Sequence, residues 1–262
     1  MFGDYQYGTE IAVIPMPHEE FSHETSEDTQ QPNHTQAIEY NSTCNWSDIY
    51  WFRWITGHQI MLMFWHLLTK ELKKLKNHDM SAAKLMFCLQ LMHGCTLIYE
   101  YTGSCSKQYY NQYIRPFMLL VHKSFTGTWA IDYISLPSLV KLVTHKKSTI
   151  SAVIALQKEL WKAYMCSQKA HINVAKRLVP EGTSLLQQAQ KSGIAHSAIQ
   201  SHHHRLFDLF FLVDRKKVSM LDFQRNLVRR IKAAIEDLKT HPVDSPLCLN
   251  YDKTLLEIIA NF

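Results

Sequence analysis

The chain has 262 residues, 46% of them hydrophobic and 19% charged, which is enough to bury one substantial core. Its formal charge of +5 is modest, and the basic residues are spread along helical segments (Lys70, Lys73, Lys74, Arg229, Arg230) instead of forming a block. That distribution argues against a nucleic-acid partner.

Other counts narrow the class. No apolar run reaches about 18 residues and no charged stretch leads into an apolar one at the start, so neither a membrane span nor a secretory leader is expected. A cytoplasmic protein with free thiols follows. The six cysteines form no C-x-x-C pair and no C-x-x-C-H box, which excludes the usual zinc and c-type haem signatures. Only 8 glycines and 8 prolines interrupt the chain, and the segments between them carry helical periodicity, so we expect one all-α domain. Fifteen histidines are the unusual figure, because neutral imidazole is both a common metal ligand and an acid/base near pH 7.

Residues 1–45 are polar and broken by Pro15, Pro17 and Pro32. They read as a flexible N-terminal arm whose first dozen residues can dock elsewhere, ahead of a single helical domain over 46–262. The organising stretch runs from about Trp46 to Leu75, with apolar residues at helical spacing and Trp54-Ile55-Thr56-Gly57-His58-Gln59 inside it. Trp54 and His58 lie one turn apart on its buried face. Such a histidine is either a core residue bonded to a backbone carbonyl or, with the indole, part of a pocket for a planar cofactor and an oxygen ligand.

A second helix is expected from Ser81 to about Tyr101, antiparallel to the first, with His93 on its inner face approaching His58. After a turn, helical spacing resumes over Gln108 to Leu120, bent at Pro116. The stretch from His122 to Tyr133, containing Thr126-Gly127-Thr128-Trp129, has the character of a substrate-facing loop or of a plain turn. Helices follow over Ser138 to Val143 and Ser148 to Ala175. Pro180-Glu181-Gly182 breaks the chain before another helix at Ser184. In the next segment, stepping back from Phe210 and Phe207 reaches His203, which makes it the candidate metal ligand of the run His202-His203-His204, with His202 and His196 as alternatives. A final amphipathic helix is expected from Leu221 to Leu238, then a short one from Lys253 to Ile259.

With these residues placed, the chain resembles the histidine-ligated haem enzymes of the tryptophan 2,3-dioxygenase superfamily. The likeness rests on Trp54-Ile55-Thr56-Gly57-His58-Gln59 followed by Trp65, on Tyr110-Asn111-Gln112-Tyr113-Ile114-Arg115, on Ser124-Phe125-Thr126-Gly127-Thr128-Trp129, and on His203 before an apolar run. The arginine is displaced by one residue from the family spacing, and the family's Gly-Thr-Gly-Gly-Ser loop has no counterpart after Phe211. Residues 114–133 are more similar to the haem-dependent L-tyrosine 3-hydroxylase branch. A peroxygenase cousin of that branch attaches haem through His-x-x-x-Cys; no cysteine here has a histidine four residues before it, so noncovalent haem b is implied.

The resemblance implies a helical bundle around haem b that hydroxylates an aromatic amino acid, tyrosine-like, with hydrogen peroxide or O2. In that arrangement His203 binds iron and His58 or His93 moves the proton, while Arg115 holds the substrate carboxylate. Trp54, Tyr113, Thr126 and Trp129 then surround the ring. The alternatives are an indole-ring dioxygenase and a non-catalytic haem-binding or interaction protein. A homo-oligomer is expected.

Overall fold

The computed structural model describes residues 9–23, 45–78, 80–179, 183–193, 201–245 and 251–262. Strand β1 (Ala12–Ile14) precedes α1 (Trp46–Asn77) and α2 (Ala82–Thr102). A short α3 (Lys107–Tyr109) passes through a π-helical turn (Tyr110–Ile114) into α4 (Arg115–Val121). Then come α5 (Leu136–Thr144), α6 (Ser151–Leu178), α7 (Leu185–Lys191), α8 (Ser201–Phe210), β2 (Val213–Arg215), α9 (Met220–Thr240) and α10 (Tyr251–Ile259). The architecture is an all-α bundle, as expected, with one two-stranded parallel sheet, β1 on β2.

Helix α1 is the axis of the core. Asn45 caps it by accepting from the Ser47 amide, and from Phe52 to Lys70 every residue but His58 is buried. A helix apolar on so wide an arc must be covered on several sides. Helix α2 packs between α1 and α6, α5 and α9 also contact α1, and α10 closes on α2. Gly57 sets the α1–α2 approach, since a Cβ there would come within 2.1 Å of Thr102 Oγ1. The α2 helix is the one described element long and apolar enough to cross a membrane; here its apolar residues face α1 and α6.

Buried charges fasten α9 to this axis. Arg53 donates to both Asp237 oxygens (2.7 and 3.1 Å) and to Ser104 Oγ. Removing one partner of so buried a pair typically costs about 3–5 kcal/mol, because the other charge is left unpaired. A second buried group joins His66, Asp132, Arg215 and Asp208. Arg215 bridges the two carboxylates, and His66 Nδ1 lies 3.1 Å from Asp132. The guanidinium holds the Asp132 carboxyl below its ordinary pKa, although burial opposes it.

The described part of the N-terminal segment is not a free arm. Ala12 and Ile14 are fully buried, β1 pairs with β2, and the Glu10 and Ile11 carbonyls accept from Gln59 and Arg230 of the helical core. Polar composition concealed the short Ile11-Ala12-Val13-Ile14 run, which is too brief for a periodicity argument but long enough for an edge strand.

Candidate functional site

A cavity of about 440 Å³ opens between α1, α2, the π turn with α4, the 125–128 loop, α6 and the end of α8. That volume is in the range of small-molecule sites, and its walls carry a few polar groups in a mostly apolar lining.

His58 and Trp54 enter from α1 as the spacing predicts, with ring centroids 4.5 Å apart. His58 Nδ1 lies 2.6 Å from the Trp54 carbonyl, so Nδ1–H donates there and Nε2 carries the lone pair. The Phe211 ring covers the imidazole, 3.9 Å away and nearly parallel. Burial pushes the His58 pKa down to about 4, outweighing the carbonyl bond, so the ring is neutral at pH 7.

A π turn sets the direction of Arg115. The Arg115 amide donates to the Tyr110 carbonyl five residues back, so Tyr110 and Arg115 share one face and both line the cavity. Pro116 follows at the start of α4, where its missing N–H is tolerated. Asn111 fastens the turn by donating to the Leu178 carbonyl at the end of α6. Arg115 itself is buried. Its Nη2 donates to the Thr183 carbonyl at 3.1 Å, its Nη1 has no hydrogen-bond partner, and among the described residues no carboxylate pairs with it. A buried guanidinium without a counter-ion is costly unless an anion joins it.

From α6, His171 and Gln168 face the same cavity. His171, although exposed along α6, stacks on Tyr99 with centroids 4.8 Å apart, and desolvation of the ring on its cavity side lowers its pKa, which favours the neutral form that binds metal. Two imidazoles, His58 and His171, therefore approach one space from different walls. The sequence reading missed His171. Its signal was a stripe of Gln168, His171, Ala175 and Leu178 at helical spacing, in which two polar side chains one turn apart continue into apolar ones.

The remaining expected residues are placed as follows. Thr126 lines the cavity beside Gly127. His203 is buried, as its helical phase predicts, but it stacks on Trp129 (4.4 Å) and meets His122 edge-on, outside the cavity lining. Trp129 is thus a partner of His203 and not a wall of the pocket. One and two turns later on the same face, Phe207 and Phe211 do reach the cavity. His202 is exposed, and His196 lies outside the described residues. His93 is exposed on α2 and does not approach His58, because the two buried sides of that helix are taken by α1 and α6. Tyr113 is 50% exposed and stacks on Tyr109; Tyr110 holds the pocket position expected of it.

Among the described residues no three His, Cys, Asp or Glu side chains converge on a metal position. A metal here would take one imidazole from the protein and its other ligands from elsewhere, which is the donor set that suits a macrocyclic iron better than a bare ion. The cavity fits such a group on that ground. A comparison with curated protein sequences returns no match. Residues 22–153, half the chain, match the family profile described as SfmD 3-methyl-L-tyrosine peroxygenase. The matched region contains Trp54, His58, Tyr110, Arg115 and the 125–128 loop, and ends before His171.

Proposed function

We infer that this chain, which belongs to the SfmD 3-methyl-L-tyrosine peroxygenase family, is a haem-dependent peroxygenase that hydroxylates the ring of a tyrosine-type amino acid with hydrogen peroxide. The observation that carries the reading is the approach of His58 and His171 to one cavity beside a buried Arg115 that has no carboxylate partner among the described residues. The net reaction adds one peroxide oxygen to an aromatic C–H and releases water.

Bound haem would supply the two-electron oxidation that peroxide drives. His171 is the residue to hold its iron, in place of His203. On the α1 side His58, neutral with Nε2 free, takes the first proton from the peroxide and returns it to the departing oxygen as water forms. Such acid/base help is typically worth 10² to 10⁴-fold.

The remaining residues bind and orient. Arg115 pairs with the substrate carboxylate beside the Tyr110 hydroxyl, which burial holds protonated although the guanidinium opposes it. The Trp54 and Phe125 rings and the Thr126-Gly127 loop then flank the substrate ring and exclude water. The test is turnover with peroxide. Purified protein should convert tyrosine or 3-methyltyrosine to a product 16 mass units heavier without an added reductant. Product formation that needs O2 and a reductant, and ignores peroxide, would replace the peroxygenase reading with an oxygenase one.

A further inference from the structure

Among the described residues Leu212 is the one non-glycine with positive φ, at 53°. That conformation brings Cβ against the backbone and persists where surrounding contacts impose it. It sits directly after Phe211, whose ring lies flat on His58.

The contacts that impose it converge on one amide. Gln59, buried on α1 next to His58, donates through Nε2 to the Phe211 carbonyl (2.9 Å) and the Glu10 carbonyl (2.9 Å), with a longer approach to the Leu212 carbonyl. Its Oε1 accepts from Arg230 Nε at 2.9 Å, and Arg230 also donates to the Ile11 carbonyl. The Leu212 carbonyl accepts from the Ala12 amide. The turn is therefore held from α1, α9 and β1 together, and a carboxamide is the side-chain group that both donates to the turn and accepts from the guanidinium.

We propose that Gln59 is a positioning residue for His58: its amide, oriented by Arg230, holds the strained Phe211–Leu212 turn and so keeps the Phe211 ring on the imidazole. The inference takes from the proposed function only that His58 is the residue worth positioning.

The test is made on the full chain without substrate or peroxide, in the diamagnetic ferrous–CO form where haem is bound. Phe211→Leu first identifies the ring-current displacement of the His58 ring protons by NMR. Gln59→Glu keeps an acceptor for Arg230 and removes the donors to the turn; it should lower Tm and move the His58 resonances toward their Phe211→Leu positions. Adding Leu212→Gly, which relieves the left-handed conformation, should recover at least half of both changes. Leu212→Gly alone should leave the His58 resonances in place. Unmoved His58 resonances in Gln59→Glu, or strict additivity of the two substitutions, would overturn the proposal. If Gln59→Glu does not fold, recovery of folding and of the His58 shifts in the double variant supports it, and failure to recover overturns it. Because no turnover is read, an inactive His58 would sink the peroxygenase reading without touching this result.

Discussion

Tyr110 and Arg115 stand five residues apart on one face because a π turn joins them, with the Arg115 amide bonded to the Tyr110 carbonyl. An α-helical spacing would have rotated the guanidinium away from the phenol. The consequence is a buried cation at the cavity wall, next to a phenol that packs edge-on against the Trp54 indole.

Arg115→Lys keeps a charge and loses the planar fork. The variant should raise KM for tyrosine by one to two orders of magnitude, as expected for roughly 1.4–3 kcal/mol of lost bidentate contact, while a simple phenol without a carboxylate is little affected. Equal losses for both compounds would make Arg115 structural.

His58→Ala should leave the absorption spectrum of the bound cofactor largely intact and lower kcat by about 10² to 10⁴-fold. His93→Ala, on the exposed side of α2, should turn over normally. Steady-state rates of the two variants with peroxide compare them directly.

The buried His58 also couples folding to pH. Its folded pKa of about 4 lies below the ordinary 6.5, so above pH 6.5 both folded and unfolded states are neutral and the group contributes nothing. Between pH 6.5 and 4 the unfolded chain takes up a proton that the folded one refuses, and stability falls by up to about 3 kcal/mol, levelling off below pH 4. His58→Gln should flatten that part of the stability curve measured by urea unfolding. An unchanged slope would show that another group titrates there. By the same shift, the acid limb of activity should fall near pH 4 instead of near 6.5.

No cysteine lies four residues after a histidine, so the haem should come away with acid and organic solvent and leave colourless protein. Haem that stays with the polypeptide would establish a covalent link through other residues.

The helix pattern was legible because its cause is local. The α1 stripe, the Ser81 cap of α2 and the amphipathic α9 follow from spacing and capping residues that sequence displays. The same helical spacing put Trp54 and His58 on one face, and both line the cavity. The errors arose where the third dimension decides. His93 and Tyr113 fell on faces whose partners could not be known from one helix alone. His203 had the right phase for burial, yet burial has several destinations, and Trp129 occupies the one it takes. His171 was passed over because its helix was read for apolar residues, whereas this wall carries Gln168 and His171 one turn apart among apolar ones. The π turn and the left-handed Leu212 are local strains held by distant contacts, and neither has a sequence signature of its own.

If His171 holds the iron in the cavity it shares with His58, the absorption spectra of haem-reconstituted His171→Ala and His203→Ala will differ. His171→Ala should lose the Soret band near 400 nm expected of histidine-ligated haem, and added imidazole should restore a histidine-like spectrum, while His203→Ala keeps the wild-type spectrum. Retention of that spectrum in His171→Ala together with its loss in His203→Ala would assign the iron to His203 instead.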